Sequence, residues 1–295
     1  MNTIFHFPIK VFQFISFFLY ITVILPIISS FLFITGIEKI QSSWNLTAYL
    51  VIETLQIKLK QIYLKNMDEN VEKENVKKEG VEEDVTQQKE QKVPTFIKNG
   101  FIITNHRSFT DLFLDVYLTQ GDYVGRLLAV AIVTIWGIQS IVENRCILLQ
   151  RGKDNRNTLW EKISKHKLII YWAEGTRCSH TTLPVNYKDV ELKYGLLKSI
   201  YENKKPIQIY ISSGKENVVN EKRFHLGFGE TVTYMIGEPF ESSNYETFDA
   251  FIDKVKLEWH TLWNHVYNYN NDKNENNLEK KSKYTEIQHL TPYYA

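Results

Sequence analysis

Apolar residues first gather in one long block. Val11 to Ile37 carries no charged side chain over 27 positions. As a helix at about 1.5 Å per residue it reaches about 40 Å, against a hydrocarbon core of about 30 Å. Pro26 near its middle predicts either a tilted, kinked span or a helical hairpin dipping into one leaflet. The block is too long for a cleaved signal peptide and lacks a small-x-small site behind it. It also lacks the polar face of a soluble helix, so it reads as a membrane anchor. Lys10 and Lys39 flank it almost symmetrically, which leaves its orientation open. The next segment, Leu46 to Leu64, has apolar residues at Leu50, Ile57 and Leu64, with Lys58, Lys60 and Lys65 toward its end. That pattern fits an amphipathic helix on anionic headgroups and an ordinary core-packing helix equally.

The pattern then changes twice. Residues 65–93 hold 6 Lys and 9 Asp or Glu with few large apolar side chains, which predicts a solvated, disordered linker. Beyond it, short β-branched and aromatic runs alternate with helical periodicity. Strands are expected at Phe101–Thr104, Ile147–Gln150, Leu168–Trp172, Ile207–Ile211 and Val232–Ile236. Helices are expected at Phe109–Leu118, Arg126–Ile141, Asn157–Lys165, Asp189–Tyr201 and Tyr245–Tyr267. Such alternation points to an α/β domain. The run Leu127–Val142, at 16 residues, is short for a span and reads as a core helix, with membrane contact the lesser reading. The Asn- and Lys-rich stretch from Asn268 to Lys283 reads as a disordered tail. The chain thus divides into an anchor and amphipathic helix (1–64), a linker (65–93), a folded domain (94–267) and a polar tail (268–295).

Composition narrows the field. At 295 residues the chain holds one large domain or two small ones. A formal charge of +1 and the lack of basic stretches interleaved with aromatics argue against nucleic acid. Without the linker the remainder is about +4, mildly suited to anionic lipid or phosphate. The two cysteines, Cys146 and Cys178, lie far apart without metal-ligand spacing, which favours a reduced, cytosol-facing setting. Neither a G-x-S-x-G elbow nor a P-loop is present, so a covalent serine mechanism and nucleotide hydrolysis lack their residues.

Three of the expected strands end in polar residues: Asn105-His106, Arg151, and Glu174-Gly175-Thr176-Arg177. In open α/β sheets the carboxyl ends of strands are where ligands bind. His106 is suited to general-base work if a carboxylate holds its imidazole, and Asp111 is the nearest one. Five residues on a continuous helix turn through about 500°, so the pair needs His106 in a turn and Asp111 in the first helical turn. Ser108-Phe-Thr-Asp111 has the form of a capping box, which supports that break and also offers a purely structural use for Asp111. Arg151 and Arg177 fork naturally onto phosphate, and Gly175 lets backbone amides approach an anion. Surface ion pairing with Glu174, Glu143 or Asp154 is the plainer fate of either arginine.

Asn105-His106-Arg-Ser-Phe-Thr-Asp111 resembles the N-H-x-x-x-x-D block of the glycerolipid acyltransferases, the family that includes lysophosphatidate acyltransferases. Glu174 to Arg177 matches their E-G-T-R block. Ile147-Leu-Leu-Gln-Arg151 resembles the segment ending in a phosphate-binding arginine, and Lys205-Pro206-Ile207-Gln-Ile209 the later Pro-Ile block. Gly237-Glu238-Pro239-Phe240 falls where a G-x-P turn is common. The resemblance spans about residues 96 to 240. It departs at Ala173, where proline is common, at Arg145, where glycine is frequent, and at Cys178, where serine is usual.

The resemblance implies a mixed sheet flanked by helices and a membrane-bound acyl-CoA-dependent lysophospholipid acyltransferase, with no cofactor besides acyl-CoA as co-substrate. Lysophosphatidic acid would be the leading acceptor. A remodelling enzyme for lysophosphatidylinositol or lysocardiolipin, or a non-catalytic lipid-binding protein of the same fold, are the alternatives. His106 and Asp111 would be catalytic, with Asn105, Arg151, Glu174, Gly175, Thr176, Arg177 and Pro206 on the substrate side. The partners implied are membrane lipid, acyl-CoA and the acceptor, and the location a membrane, the endoplasmic reticulum if the source is eukaryotic. The sequon Asn45-Leu-Thr would report lumenal exposure if glycosylated.

Overall fold

The computed structural model describes residues 3–35, 42–64, 93–126, 134–149, 156–177, 183–221, 223–274 and 284–289. Arg151, Cys178 and the charged stretch 65–92 lie outside them. A mixed sheet runs through the molecule. Its strands are β1 (Lys58–Leu64), β2 (Gly100–Thr104), β3 (Asp122–Arg126), β4 (Cys146–Leu149), β5 (Leu168–Trp172), β6 (Pro206–Ser213), β9 (Thr231–Ile236), β10 (Phe240–Glu241) and β11 (Tyr284–His289). A separate two-stranded hairpin joins β7 (Val219–Asn220) to β8 (His225–Leu226). The order across the sheet is β11-β1-β9-β6-β2-β5-β3-β4, with β10 beside β6. β6, β2, β5, β3 and β4 are mutually parallel, so their carboxyl ends share one edge.

Strand pleating divides the core between two faces. Ile102, Ile170 and Tyr210 pack on one face with Trp44 and Phe113. Phe101, Ile103, Ile169 and Ile209 pack on the other with Leu197, Phe251 and Trp259. The helices of the first face are α1 (Thr3–Leu19), α2 (Leu25–Thr35), α3 (Ser43–Thr54), α4 (Asp111–Thr119) and α5 (Thr134–Val142). The second is covered by α6 (Arg156–Ile163), α7 (Tyr194–Glu202) and α9 (Phe248–Asn274). The short α8 (Lys215–Val218) follows β6. The α/β architecture and the five expected strands hold, with ends displaced by one or two residues.

Three expectations change. Leu46–Leu64 is not one helix: α3 stops at Thr54, Gln56 turns at φ 53, and the chain re-enters as β1. There Leu59 and Ile62 are buried while Lys58 points outward, and the strand pairs with β9 and β11. The polar tail is not uniformly unstructured either. α9 continues to Asn274 because Tyr269 is buried and Asn270 bonds Ser213 and Thr233, and β11 then closes the sheet edge. Segments from both ends of the chain therefore belong to the sheet. Finally, Arg126, expected to open a helix, is instead the last residue of β3, and the described part of that expected helix is Thr134–Val142.

The apolar block forms one helical path from Thr3 to Thr35, with a π turn at Tyr20–Ile24 ahead of Pro26. Proline cannot donate to the carbonyl four residues back, and a widened turn accommodates its ring. Phe14, Ile21, Leu25 and Ser29 pack on the domain, while Phe12 (71% exposed), Phe31 (62%) and Ile34 (81%) face outward. Val11–Thr35 is, among the described residues, the one helix long and apolar enough to cross a membrane. Gln139 of α5 ties this region together, donating to Ser29, Ser30 and Ser43 while accepting from Thr47. Asn45 is buried, donates to Gln120 Oε1 at 2.6 Å and accepts from Arg145 at 3.2 Å, so the folded sequon is closed to glycosylation.

Candidate active site

β2 is a run of five fully buried residues, GFIIT, flanked on both sides by parallel strands. Such a central strand delivers its next residues to the carboxyl edge of the sheet. Asn105 comes first and is wholly buried. Its Nδ2 donates to the Ser212 carbonyl at 2.8 Å and its Oδ1 accepts from the Ser212 amide at 3.1 Å. Asn105 therefore locks the end of β2 to β6.

His106 follows, outside any helix. Its Nδ1 lies 2.6 Å from Asp111 Oδ2, and its side chain keeps 25% exposure while that of Asp111 is fully buried. The same carboxylate oxygen accepts from the amides of Arg107 at 2.5 Å and Ser108 at 3.2 Å. The backward half of the expected capping box is thus present, Asp111 reaching the Ser108 amide. The forward half moves one residue: Ser108 Oγ accepts from the Thr110 amide at 3.0 Å. Capping and orientation of the histidine are performed by one carboxylate. With Nδ1–H donating to Asp111, Nε2 is left as the free base nitrogen.

A second carboxylate sets the backbone. Glu174, buried just past β5, accepts from the His106 amide at 2.6 Å through Oε2. It thus holds the histidine's main chain. Gly175 takes φ +71, and a Cβ there would come within 2.8 Å of Lys193 Cγ, so only glycine turns the chain this tightly. Its amide donates to the Trp172 carbonyl at 3.0 Å and so closes that turn. Thr176 is exposed, and Arg177, also exposed, pairs with Glu221 of the β7–β8 hairpin. Pro206 opens β6 at the opposite end of the sheet, where its carbonyl and ring crowd Gly100. Of the expected set, His106, Asp111, Asn105 and the Glu174–Arg177 turn meet at one edge, and Pro206 does not.

Residues that the sequence alone does not single out stand behind this pair. The ring of Trp172, the last residue of β5, lies 5.4 Å from that of His106 at an interplanar angle of 29°. Its indole Nε1 donates to Asp115 Oδ2 at 2.7 Å. Asp115, one helical turn after Asp111, is fully buried and also accepts from Tyr210 and Lys215. Lys215 is fully buried as well and stands 3.5 Å from Asp111 Oδ1. Gly214, at φ +93 with no room for a Cβ beside the Thr231 carbonyl, turns the chain after β6 so that Lys215 enters the core. The Lys215 carbonyl accepts from Ser108 Oγ at 3.1 Å and Thr110 Oγ1 at 3.0 Å, clamping the His106 loop from below. The sequence signal for Asp115 was weak, an i+4 acidic residue on an otherwise apolar helix face.

Charges here shift one another. Burial alone would raise Asp111, yet Lys215 and His106 outweigh it and hold the carboxyl below the usual range. Burial pushes Asp115 upward against the pull of Lys215. Burial would lower Lys215, but the two carboxylates hold it above its ordinary value. Arg107, next to the histidine, is buried with its guanidinium 4.7 Å from the Trp263 ring and 5.4 Å from that of Tyr267, which docks α9 onto the loop.

A His–Asp pair alone does not define a site. His166 Nδ1 meets Asp122 Oδ2 at 2.7 Å, with Arg145 on the other oxygen at 2.9 Å. That triad sits where β3, β4 and β5 begin, and the His166 side chain is only 6% exposed. It ties three strand starts together. The His106 pair differs in its open ring nitrogen and its place at the carboxyl edge.

Sheet order and flanking helices define an α/β fold with a mixed sheet covered on both faces. Among solved structures, the chain is similar to the 1-acyl-sn-glycerophosphate (LPA) acyltransferase PlsC from Thermotoga maritima. The TM-score is 0.54 at 14% identity, covering 92% of this chain and 98% of that one. At that identity the likeness is one of fold. No protein-family profile and no curated protein sequence matches the chain.

Proposed function

We propose that this protein transfers an acyl group from acyl-CoA to the hydroxyl of a lysophospholipid, with lysophosphatidic acid the leading acceptor and phosphatidic acid the product. The observation that carries the reading is the His106–Asp111 pair, bonded at 2.6 Å with an accessible ring at the carboxyl edge of the sheet. The likeness in fold to an acyltransferase supports it.

In this reading Nε2 of His106 takes the acceptor's hydroxyl proton as the oxygen attacks the thioester carbonyl. The tetrahedral intermediate collapses, the C–S bond breaks, and the imidazolium returns its proton to the departing CoA thiolate. Asp111 stabilises the imidazolium in between. No acyl-enzyme forms. Arg177 and Arg151 remain the proposed phosphate holders, Arg177 by exchanging or sharing its Glu221 partner.

The helical path from Thr3 to Thr35 brings lipid substrates close. Phe14 stacks near Phe18 at 6.2 Å, and Phe18 reaches Phe109, three residues from His106, at 5.0 Å. Phe14 and Phe17 also line a groove of about 440 Å³ with Phe224, Leu226 and Phe228, which Gln13, Arg223 and His225 complete. In this reading an acyl chain from the bilayer runs past Phe18 to Phe109, next to the His106 loop.

The test uses membranes carrying the protein, labelled acyl-CoA and a panel of lysolipids. Wild type is expected to acylate lysophosphatidate, and His106→Ala to lose activity by about 10²- to 10⁴-fold. Absence of transfer to every acceptor would end the enzyme reading. Preference for lysophosphatidylinositol or lysocardiolipin would replace the acceptor.

A further inference from the structure

Beneath the dyad lies a buried group that the reaction, as written, does not use. Asp115 and Lys215 are both fully buried and in direct contact, and neither touches solvent. Burying an ion pair is costly, and an apolar pair of similar volume is often as stable. What the pair does for its surroundings is therefore the question. Asp115 spends its second oxygen on the Trp172 indole at 2.7 Å, and that indole lies against the His106 ring. Lys215 faces the free oxygen of Asp111 at 3.5 Å, opposite the oxygen that holds His106. Both routes out of the pair end at the same imidazole.

We propose that Asp115 and Lys215 are a charge-balanced pair of positioning residues for His106: Asp115 fixes the Trp172 indole against the ring, and Lys215 cancels the added carboxylate so that Asp111 alone balances the imidazolium. The proposal rests on His106 being the base.

The charge count makes it specific. Asp111 and Glu174 touch His106 directly, at Nδ1 and at the amide, while Asp115 reaches it through Trp172 and Lys215 through Asp111. Around them stand Tyr210 of β6, kept protonated by burial, and Arg107 and Glu216 beside Tyr267, none of which the variants below alter. Glu174 and Arg107 carry opposite charges. Asp111, Asp115 and Lys215 together carry one negative charge, the right complement for a proton arriving on the ring. Removing only Asp115's charge leaves Lys215 to neutralise Asp111, and the imidazolium then forms against no net charge. Removing both members of the pair restores one negative charge. Asn at 115 still accepts from the Trp172 indole, and the Lys215 carbonyl bonds to Ser108 and Thr110 survive any change of side chain.

The experiment compares Asp115→Asn, Lys215→Met and the double variant in the full chain. Two readouts are taken: kcat against KM over pH with lysophosphatidate and acyl-CoA, and the pH at which the His106 ring signals titrate by NMR without substrate. Asp115→Asn is expected to lose kcat about 10- to 100-fold at nearly constant KM, with the ring titrating at lower pH than in wild type. The double variant is expected to return to within about fivefold in kcat and to the wild-type titration, a recovery that a merely structural role does not produce. A double variant slower than Asp115→Asn, or a ring titration that Asp115→Asn leaves in place, overturns the proposal. Should Asp115→Asn not fold, the double variant decides alone, since its one remaining buried charge, Asp111, keeps the His106 ring and the Arg107 and Ser108 amides as partners. A ring titration more than about one pH unit from wild type then overturns the pair's net neutrality. Because the NMR readout needs no turnover, a chain that acylates nothing fails the proposed function without deciding this point.

Discussion

The indole of Trp172 lies against the imidazole of His106, its centroid 5.4 Å away, while its N–H is held by Asp115 at 2.7 Å. The catalytic candidate is therefore fixed on two sides: by Asp111 through a hydrogen bond to Nδ1 and by Trp172 through a packed face. Trp172→Phe keeps the ring and deletes the donor. It is expected to lower kcat about tenfold and to cost about 1–3 kcal/mol of stability, because Asp115 loses one partner inside the core. Urea unfolding beside an activity assay checks both, and an unchanged kcat would remove Trp172 from the positioning machinery.

Asp111→Asn tests the dyad. The amide still accepts from one backbone donor, but it no longer stabilises an imidazolium and permits the wrong ring tautomer. Loss of about 10³- to 10⁴-fold in kcat is expected, with KM nearly unchanged. A loss below tenfold would reduce Asp111 to a helix cap.

Acid dependence of stability isolates the same carboxyl. Asp111 is held below its ordinary range, chiefly by Lys215 and His106 acting against burial. Its contribution is present above the unfolded-chain value of about 3.9 and is lost as pH falls through the lower folded value. Asp115, pushed upward by burial, runs the other way, so the comparison of wild type with Asp111→Asn is the clean one. Their difference in unfolding free energy is expected to persist from neutral pH down to about 4 and to shrink below it. A difference independent of pH would contradict the lowered carboxyl.

Glu174 separates support from substrate binding. Glu174→Gln keeps an acceptor for the buried His106 amide and is expected to retain KM for the lysolipid. Glu174→Ala leaves that amide unpaired and is expected to cost about 1–3 kcal/mol, with a fall in kcat. A large rise in KM in Glu174→Gln would return the residue to the acceptor's phosphate.

The outer face of α5 tests the membrane reading. Ile138 is 61% exposed, Ile141 41% and Val142 78%, a helical i, i+3, i+4 patch next to the Thr3–Thr35 helix. Ile138→Asp with Val142→Asp is expected to weaken retention on phospholipid vesicles in a salt-independent way, checked by flotation. Unchanged flotation would leave membrane contact to the N-terminal helices alone.

Much was legible from local pattern. β-branched runs marked five strands, an uncharged block marked the N-terminal helix, and the spacing of His106 and Asp111 forced a break that the chain indeed makes. These features depend on side chains a few residues apart, where periodicity and turn chemistry act directly. Lys58 to Leu64 and Tyr284 to His289 are not legible as strands because their partners lie far along the chain: each other and, for Lys58 to Leu64, β9. Helical extension to Asn274 likewise depended on Ser213 and Thr233, not on Asn propensity.

The sequence by itself determined five strands of the sheet, and that a histidine and a carboxylate sit together at the turn that follows one of them. Only the tertiary structure decided which other charges stand behind that pair. Lys215 lies 104 positions from Asp111 and Trp172 lies 57 from Asp115, separations at which no periodicity carries information. They meet because parallel strands β2, β5 and β6 end at one edge, and because a buried charge is stable there only when its partner is buried with it.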